Sequence, residues 1–404
     1  MNYFCYIGYG SMFKKVNNIF LVYYGSFNTK CGSNIHILEL LTNFKKYVNL
    51  IMFAPGQKNV NHTLSGIKYV PVIDNKYLIQ PSYEFMLSFY LLYYSIKNKP
   101  DVLYLRQNSF PFFPIILCKV LKIPSVVEVN GLVIDELKVT NSVSFAYRIF
   151  SYLALLSEKL NYKYSDRIIS VTDGLKDELI KLYSIPENKI FVINNGANTD
   201  LFKPMDQESV KAELRLEKSK KYVCFVGHLA AWQGVEFLIY ASRIILEKYP
   251  NTRFLVVGDG IMKSKLLEIT SELGLLDKFI FTGNVPYENV PLYINASDIC
   301  VAPFVKERNV KIGLSALKTY EYFACGKPIV ASSIPGVKDL LELSGGGISV
   351  SPENPDELAN AVVELILDEK KRNLMGERGR KYVLENHSWE RVTRKILDIC
   401  NDII

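Results

Sequence analysis

At 404 residues with 49% apolar side chains, the chain is too long for one hydrophobic core and has material for two of about 200 residues each. Charged residues make up 22%, ordinary globular usage, which excludes a long disordered arm. The formal net charge of +7 sits almost wholly in residues 1–204, with 22 Lys+Arg against 14 Asp+Glu, while the remainder balances at 26 against 27.

In chain order, Lys14 and Lys15 follow the first apolar stretch instead of preceding it, so no signal peptide is expected. A strand is predicted at Ile19–Tyr24, a glycine-rich turn from Gly25 to Gly32, a helix over Gly32–Lys46 and a strand at Leu50–Ala54. Tyr83–Tyr94 reads as an aromatic helix face, either core or lipid-facing. Like Phe110–Cys118, it is well short of the ~20 apolar residues that cross a bilayer. Strands at Val102–Arg106 and Ser125–Asn130, a helix over Ser142–Tyr164, and strands at Arg167–Val171 and Lys189–Ile193 complete the first half, with Thr172 placed as an N-cap. A charged stretch, Lys203–Lys221, marks the boundary.

The second half repeats the pattern, with strands at Tyr222–Val226, Phe254–Val257, Phe279–Thr282, Ile299–Pro303, Pro328–Ala331 and Ile348–Val350. Alternating strands and helices predict two α/β units with parallel sheets, residues 1–204 and 205–386. In such sheets ligands bind beyond the carboxyl ends of the strands, where glycine admits close backbone approach and helix N-termini attract phosphate. Gly25–Gly32, Gly227–Gly234 and Gly258-Asp259-Gly260 all occupy such positions. The seven cysteines stand singly with no CxxC pair, which fits a reducing cytosol better than disulfides or zinc. His36 and His62 have no metal-spaced partner, and no Asp-x-Asp triplet occurs.

The most informative stretch runs from Gly313 through Leu314, Ser315, Ala316, Leu317, Lys318 and Glu321 to Gly326-Lys327-Pro328 and Ala331. It reads as a loop ending at Ser315, a helix carrying Lys318 and Glu321 one turn apart, and a turn into the next strand. The plain alternative is an exposed Lys–Glu pair on an amphipathic helix. This stretch resembles the donor-site signature of family 4 glycosyltransferases, which are retaining enzymes of the GT-B fold. Phe225-Val-Gly227 to Gly234, Val257 to Gly260, Phe281 to Asn284, Ser297-Asp298 to Pro303, and Asn195-Gly196 with Phe202-Lys-Pro204 follow in the family's order. His387-Ser-Trp389 opens a last segment, 387–404, that is similar to the helix crossing back to the first domain.

The resemblance implies two Rossmann-like domains facing across a cleft, the first binding acceptor and the second a UDP- or GDP-sugar, with no cofactor or metal. Glu321 would hold the ribose. Lys318, Arg308 and Lys311 would supply positive charge to the diphosphate, aided by the backbone from Gly313 to Leu317 and the loops at Gly227, His228, Gln233, Gly258 and Gly260. Gly32 and Ser33 would approach from the first domain.

The sequence departs from the family pattern in three places. Gly313 stands where the first of two paired glutamates is expected, as in a subgroup with a Ser-x-x-Lys-x-x-Glu-Tyr core that this chain resembles. His228 and Gln233 replace an arginine and a lysine. Asn130 replaces a histidine, and can hydrogen-bond a sugar but cannot act as a base. Glu128 reads equally as a cleft acid or a buried anchor.

The expected reaction moves a hexosyl unit to a glycan or lipid-linked acceptor, in the cytoplasm or at the inner face of the membrane, in envelope polysaccharide or glycolipid synthesis. Peripheral contact with an anionic membrane stays open beside a simple solubilising bias in the basic half, and nothing points to nucleic acid. Two other readings stand beside it: an epimerase or phosphorylase on the same scaffold, and a noncatalytic sugar-nucleotide binder supporting another transferase.

Overall fold

The computed structural model describes residues 15–25, 27, 32–56, 65–75, 78–107, 113–132, 134 and 145–404. Ser26 and residues 28–31 of the first glycine-rich turn, and residues 142–144 at the start of the predicted long helix, lie outside them.

Among the described residues, thirteen strands form two wholly parallel sheets. The first holds β1 (Asn18–Val22), β2 (Asn49–Pro55), β3 (Ile67–Val70), β4 (Val102–Arg106), β5 (Ser125–Val129), β6 (Arg167–Ser170) and β7 (Ile190–Val192), in the order 3-2-1-4-5-6-7. The second holds β8 (Lys221–Val226), β9 (Thr252–Val257), β10 (Phe279–Gly283), β11 (Ile299–Ala302), β12 (Ile329–Ser332) and β13 (Gly347–Val350), in the order 10-9-8-11-12-13. Both sheets reverse direction of winding between their first and fourth strands in the sequence 1-4 and 8-11, which opens a crevice beyond Val22 and Val226.

The central strands are mostly apolar and buried on both faces, as parallel strands covered by helices are, with Arg106 and Glu128 as buried charged exceptions near the carboxyl ends of β4 and β5. The strand absent from the sequence expectations is β3. Its four residues Ile-Lys-Tyr-Val lie on the sheet edge, paired only to β2 in the order above, and are too short and too mixed to stand out. Thr172 caps helix Asp173–Tyr183 as expected, its hydroxyl accepting from the Leu175 amide at 3.2 Å.

The last helix, Trp389–Asn401, returns to the first sheet. Trp389, Val392 and Ile396 are buried in one core with Ile37, Leu40 and Phe44 of helix Gly32–Phe44. Burying each such side chain stabilises the seam by about 1.5–3 kcal/mol at most. Tyr47 adds a hydrogen bond to Glu390 at 2.8 Å, and Asn401 accepts from the Val16 amide at 2.9 Å. No helix among the described residues is long and apolar enough to cross a membrane.

Candidate functional site

Both sheets point their carboxyl ends at one cavity of about 600 Å³, a size suited to a nucleotide-sized ligand. From the first half it is lined by Gly32, Asn130 and Thr172 among others. From the second it is lined by the turns after β8, β9 and β11 and by the loop and helix from Gly313 to Glu321.

The second sheet's rim is built by close backbone approach. Gly227 (φ 147°) and Gly258 (φ 136°) follow adjacent strands β8 and β9, and a Cβ on Gly258 would stand 2.0 Å from the Gly227 carbonyl oxygen. Only glycine allows the two turns to nest this tightly. A Cβ on Gly227 would in turn meet Lys318 Nζ at 2.6 Å, so the ammonium lies directly on the β8 turn.

Helix Leu317–Ala324 is short, with all of its residues except Leu317 buried. Lys318 Nζ donates to Gln233 Oε1 at 2.6 Å and sits over the Phe225 ring at 3.9 Å and the Phe304 ring at 5.4 Å. Burial pushes its ammonium down to about 7. One turn on, Glu321 accepts from the Tyr287 hydroxyl at 3.1 Å, and burial pushes its carboxyl up to about 7. Neither residue is the exposed helical pair that the plain reading allowed. A buried lysine and a buried glutamate, with neutral partners and facing a cavity, are disposed to gain from an incoming anion and from polar hydroxyls respectively.

Ser315 does not face the cavity alone. Its Oγ accepts from the Asn195 amide at 2.8 Å and meets Tyr320 OH at 3.0 Å, while its carbonyl accepts from Asn195 Nδ2 at 2.6 Å. The Asn195 carbonyl lies 3.2 Å from His387 Nδ1. One asparagine in the connection between the sheets thus ties the loop at Ser315 to the segment leading into the last helix. A second tie joins the halves directly, from the Thr172 hydroxyl to the Ile312 carbonyl.

Arg308 lines the cavity with its guanidinium stacked over Trp232 at 4.6 Å, in a backbone conformation (φ 69°) that costs a non-glycine residue about 1–3 kcal/mol. Strain of this kind gathers at ligand sites.

In the first half, Asn130 lines the cavity and donates to Glu128 Oε1 at 2.6 Å. Glu128 itself is buried below the surface, where Tyr104 donates to it and His36 Nε2 stands 2.9 Å away. Burial opposes its charge, yet His36, Arg106 and Tyr104 together outweigh burial and hold the carboxyl below the ordinary range. Of the two readings left open for Glu128, the surroundings are those of an anchor for Asn130.

Of the residues singled out from sequence, Gly32, Asn130, Gly227, His228, Gln233, Gly258, Arg308, Gly313, Leu314, Ser315, Ala316, Leu317, Lys318 and Glu321 all line this one cavity. Three do not. Lys311 turns from it to pair with Glu178 of the first half at 2.9 Å, because the one-turn helix Asn309–Ile312 abuts helix Asp173–Tyr183. Ser33 meets Tyr23 OH at 3.1 Å, and its carbonyl accepts from Arg106. Gly260 packs against the Leu229 backbone, where a Cβ would approach to 2.4 Å. Trp232, Tyr287, Asn195 and Thr172 join the cavity without having been assigned a part in it; Tyr287 reaches Glu321 from 34 residues away in sequence. No group of three or more His, Cys, Asp or Glu among the described residues could hold a metal ion.

Residues 206–382 match the family described as glycosyl transferases group 1, and residues 31–201 match glycosyltransferase family 4. A glycosyltransferase of Methanocaldococcus jannaschii is 30% identical over 246 residues, 60% of this chain and 61% of that protein. The alpha-D-kanosaminyltransferase of Streptomyces kanamyceticus is 27% identical over 67% of this chain and 68% of its own length. The matched stretches therefore span about two thirds or less of these relatives. Among solved structures, sucrose-phosphate synthase from Thermosynechococcus elongatus superposes with a TM-score of 0.75 at 18% identity, covering 96% of this chain and 99% of that one. The Anabaena protein HepE in complex with UDP gives 0.74 at 16%, covering 96% and 100%. Two matches in tandem, over two facing parallel-sheet domains of the GT-B fold, place the chain in the group 1, or family 4, glycosyltransferases.

Proposed function

We propose that the chain is a retaining hexosyltransferase that takes its sugar from a UDP- or GDP-sugar and passes it to a glycan or lipid-linked acceptor in cell-envelope polysaccharide or glycolipid synthesis, on the cytoplasmic side. The observation that carries the reading is the pair Lys318 and Glu321, buried one turn apart on one short helix that opens onto the interdomain cavity. Glu321 supplies an acceptor for ribose hydroxyls. Lys318, the helix start and the amides near Gly313 oppose the negative charge that grows on a departing diphosphate. His228 and Arg308 stand on the same cavity wall.

Two carboxylates, Asp259 and Glu321, line the cavity among the described residues. Asp259 is paired with Lys263 at 2.8 Å, and Glu321 is held by Tyr287, so neither is presented as the nucleophile of a double displacement. In a front-face transfer, the bond from the anomeric carbon to the phosphate oxygen breaks as the acceptor oxygen bonds to that carbon on the same face. The acceptor proton passes to the departing phosphate, and the nucleoside diphosphate leaves. A kanosaminyl-transferring relative and a fold neighbour solved with UDP are consistent with this reading.

The test is thermal stabilisation by a panel of nucleoside diphosphates and their sugars, on wild type and Glu321→Ala. A shift selective for one nucleotide and lost in the variant is expected; no shift with any member overturns the donor-site assignment. A covalent glycosyl-enzyme trapped during turnover would rule out the front-face step.

A further inference from the structure

Helices Ile79–Lys97, Phe113–Leu121 and Phe145–Tyr164 lie side by side on the first sheet, on the face opposite the last helix. The first of them buries Tyr83, Leu87 and Leu91 against the sheet, which satisfies the core reading of its aromatic face. Its outer stripe should then be polar. Instead Phe85 (61% exposed), Phe89 (55%), Tyr93 (59%) and Ile96 (77%) recur there at three- and four-residue spacing. Phe85 and Phe89 meet edge to face, with ring centroids 4.9 Å apart and planes at 73°. The stripe continues onto the neighbouring helices through Ile116 and Val120 and then Ile149 and Tyr152, all exposed.

Charge on this layer is of one sign. The three helices contain two carboxylates, Glu84 and Glu158, and both are buried. Tyr24 donates to Glu84, and Tyr162 and Tyr183 donate to Glu158, so both acids are turned inward beneath tyrosine hydroxyls. The exposed charges of the helices are Lys97, Lys119, Arg148, Lys159 and Lys163; among the described residues Lys119 alone of these is paired with an acid, Asp166 at 2.6 Å. An aromatic, apolar surface whose helices carry exposed cations and no exposed acid of their own is complementary to an anionic bilayer, where rings enter the headgroup boundary and lysines meet phosphates.

We infer that this three-helix layer is a membrane-docking face that binds anionic lipid headgroups, seating the first domain on the bilayer. The seat stands apart from the sugar site and does not depend on which sugar is moved. A second copy of the chain is the competing occupant, and fits less well because the layer's like charges would face each other.

The test is cosedimentation of the full-length protein with phosphatidylcholine vesicles, with and without phosphatidylglycerol. Binding to the anionic vesicles alone, weakened by salt, is expected. Phe85→Ser with Phe89→Ser should remove it while leaving the melting temperature unchanged, since both rings are exposed. Lys97→Ser with Lys159→Ser should weaken it by roughly 25-fold, at about fivefold for each cation near such a surface. Wild type that ignores anionic vesicles, binding that survives the phenylalanine changes, or self-association abolished by them without vesicle binding would each overturn the inference.

Discussion

The two halves share the order of their first six strands and present the same crevice, yet they line it with different chemistry. The second half offers glycine turns, a strained arginine and a short helix whose Lys318 and Glu321 are buried with neutral partners. The first half offers Asn130, and the ionised group behind it is already surrounded by His36, Arg106 and Tyr104. One wall keeps electrostatic stabilisation in reserve for a ligand, while the other has spent it on its own rigidity. Equivalent positions in a duplicated architecture therefore do not carry equivalent function, and the contrast predicts how each wall responds to substitution.

The largest effect is expected at Lys318. Lys318→Met should lower kcat/KM for transfer by about 10²–10³, the usual cost of losing one preorganised charge opposite a developing anion. The same change should raise the stability of the ligand-free protein. Glu321 is raised from 4.5, so between pH 4.5 and 7 the folded site keeps a proton that the unfolded chain releases, and stability falls as pH rises. Lys318 is lowered from 10.5, so between pH 7 and 10.5 the unfolded chain holds the extra proton and stability recovers. The pair is thus most costly near pH 7, where Lys318→Met should raise Tm by about 2–4 °C, corresponding to about 1 kcal/mol. Thermal melts across pH check this, and a variant that is both less active and less stable would contradict it.

Next is Gly258→Ala. The added Cβ collides with the Gly227 carbonyl and demands an unfavourable backbone conformation. Destabilisation by at least about 2 kcal/mol is expected from chemical denaturation, together with loss of nucleotide-induced stabilisation.

On the first wall, Glu128→Gln should cost about 1–3 kcal/mol in stability, because the donors around it lose a charged acceptor. It should leave kcat within about threefold of wild type, as expected of an anchor without a part in proton transfer. Its folded-state pKa lies below 4.5, so the stability it contributes is present above that pH and is lost as pH falls further. Wild type should therefore lose more stability than the variant on acidification below pH 4.5. A large fall in kcat at unchanged stability would make Glu128 a catalytic group and erase the contrast between the walls. The smallest effect is expected from chelator, which should leave transfer unchanged if Lys318 and the helix start supply the positive charge.

Local order was legible in the sequence because it is short-range. Strand and helix periods, the Thr172 cap and the glycine turns each depend on a few consecutive residues, and all the predicted strands formed within about two residues of their expected ends. The motif from Gly313 to Glu321 was legible for the same reason: its spacing on one loop and one helix fixes which side chains leave the same turn. The edge strand β3 was not, since four mixed residues pair only because β2 is already in place.

What the tertiary structure decided is everything that depends on residues far apart in the chain. Lys311 has the right charge in the right segment, but Glu178 of the other domain lies closer than the cavity does. Glu128 could be assigned no single role until His36, Tyr104 and Asn130 were seen around it. Lys318 and Glu321 carry the same letters as an ordinary surface pair. Only burial against Phe225, Gln233 and Tyr287 moves both toward neutrality at pH 7, because desolvation is a property of the packed surroundings and no spacing along the chain encodes it.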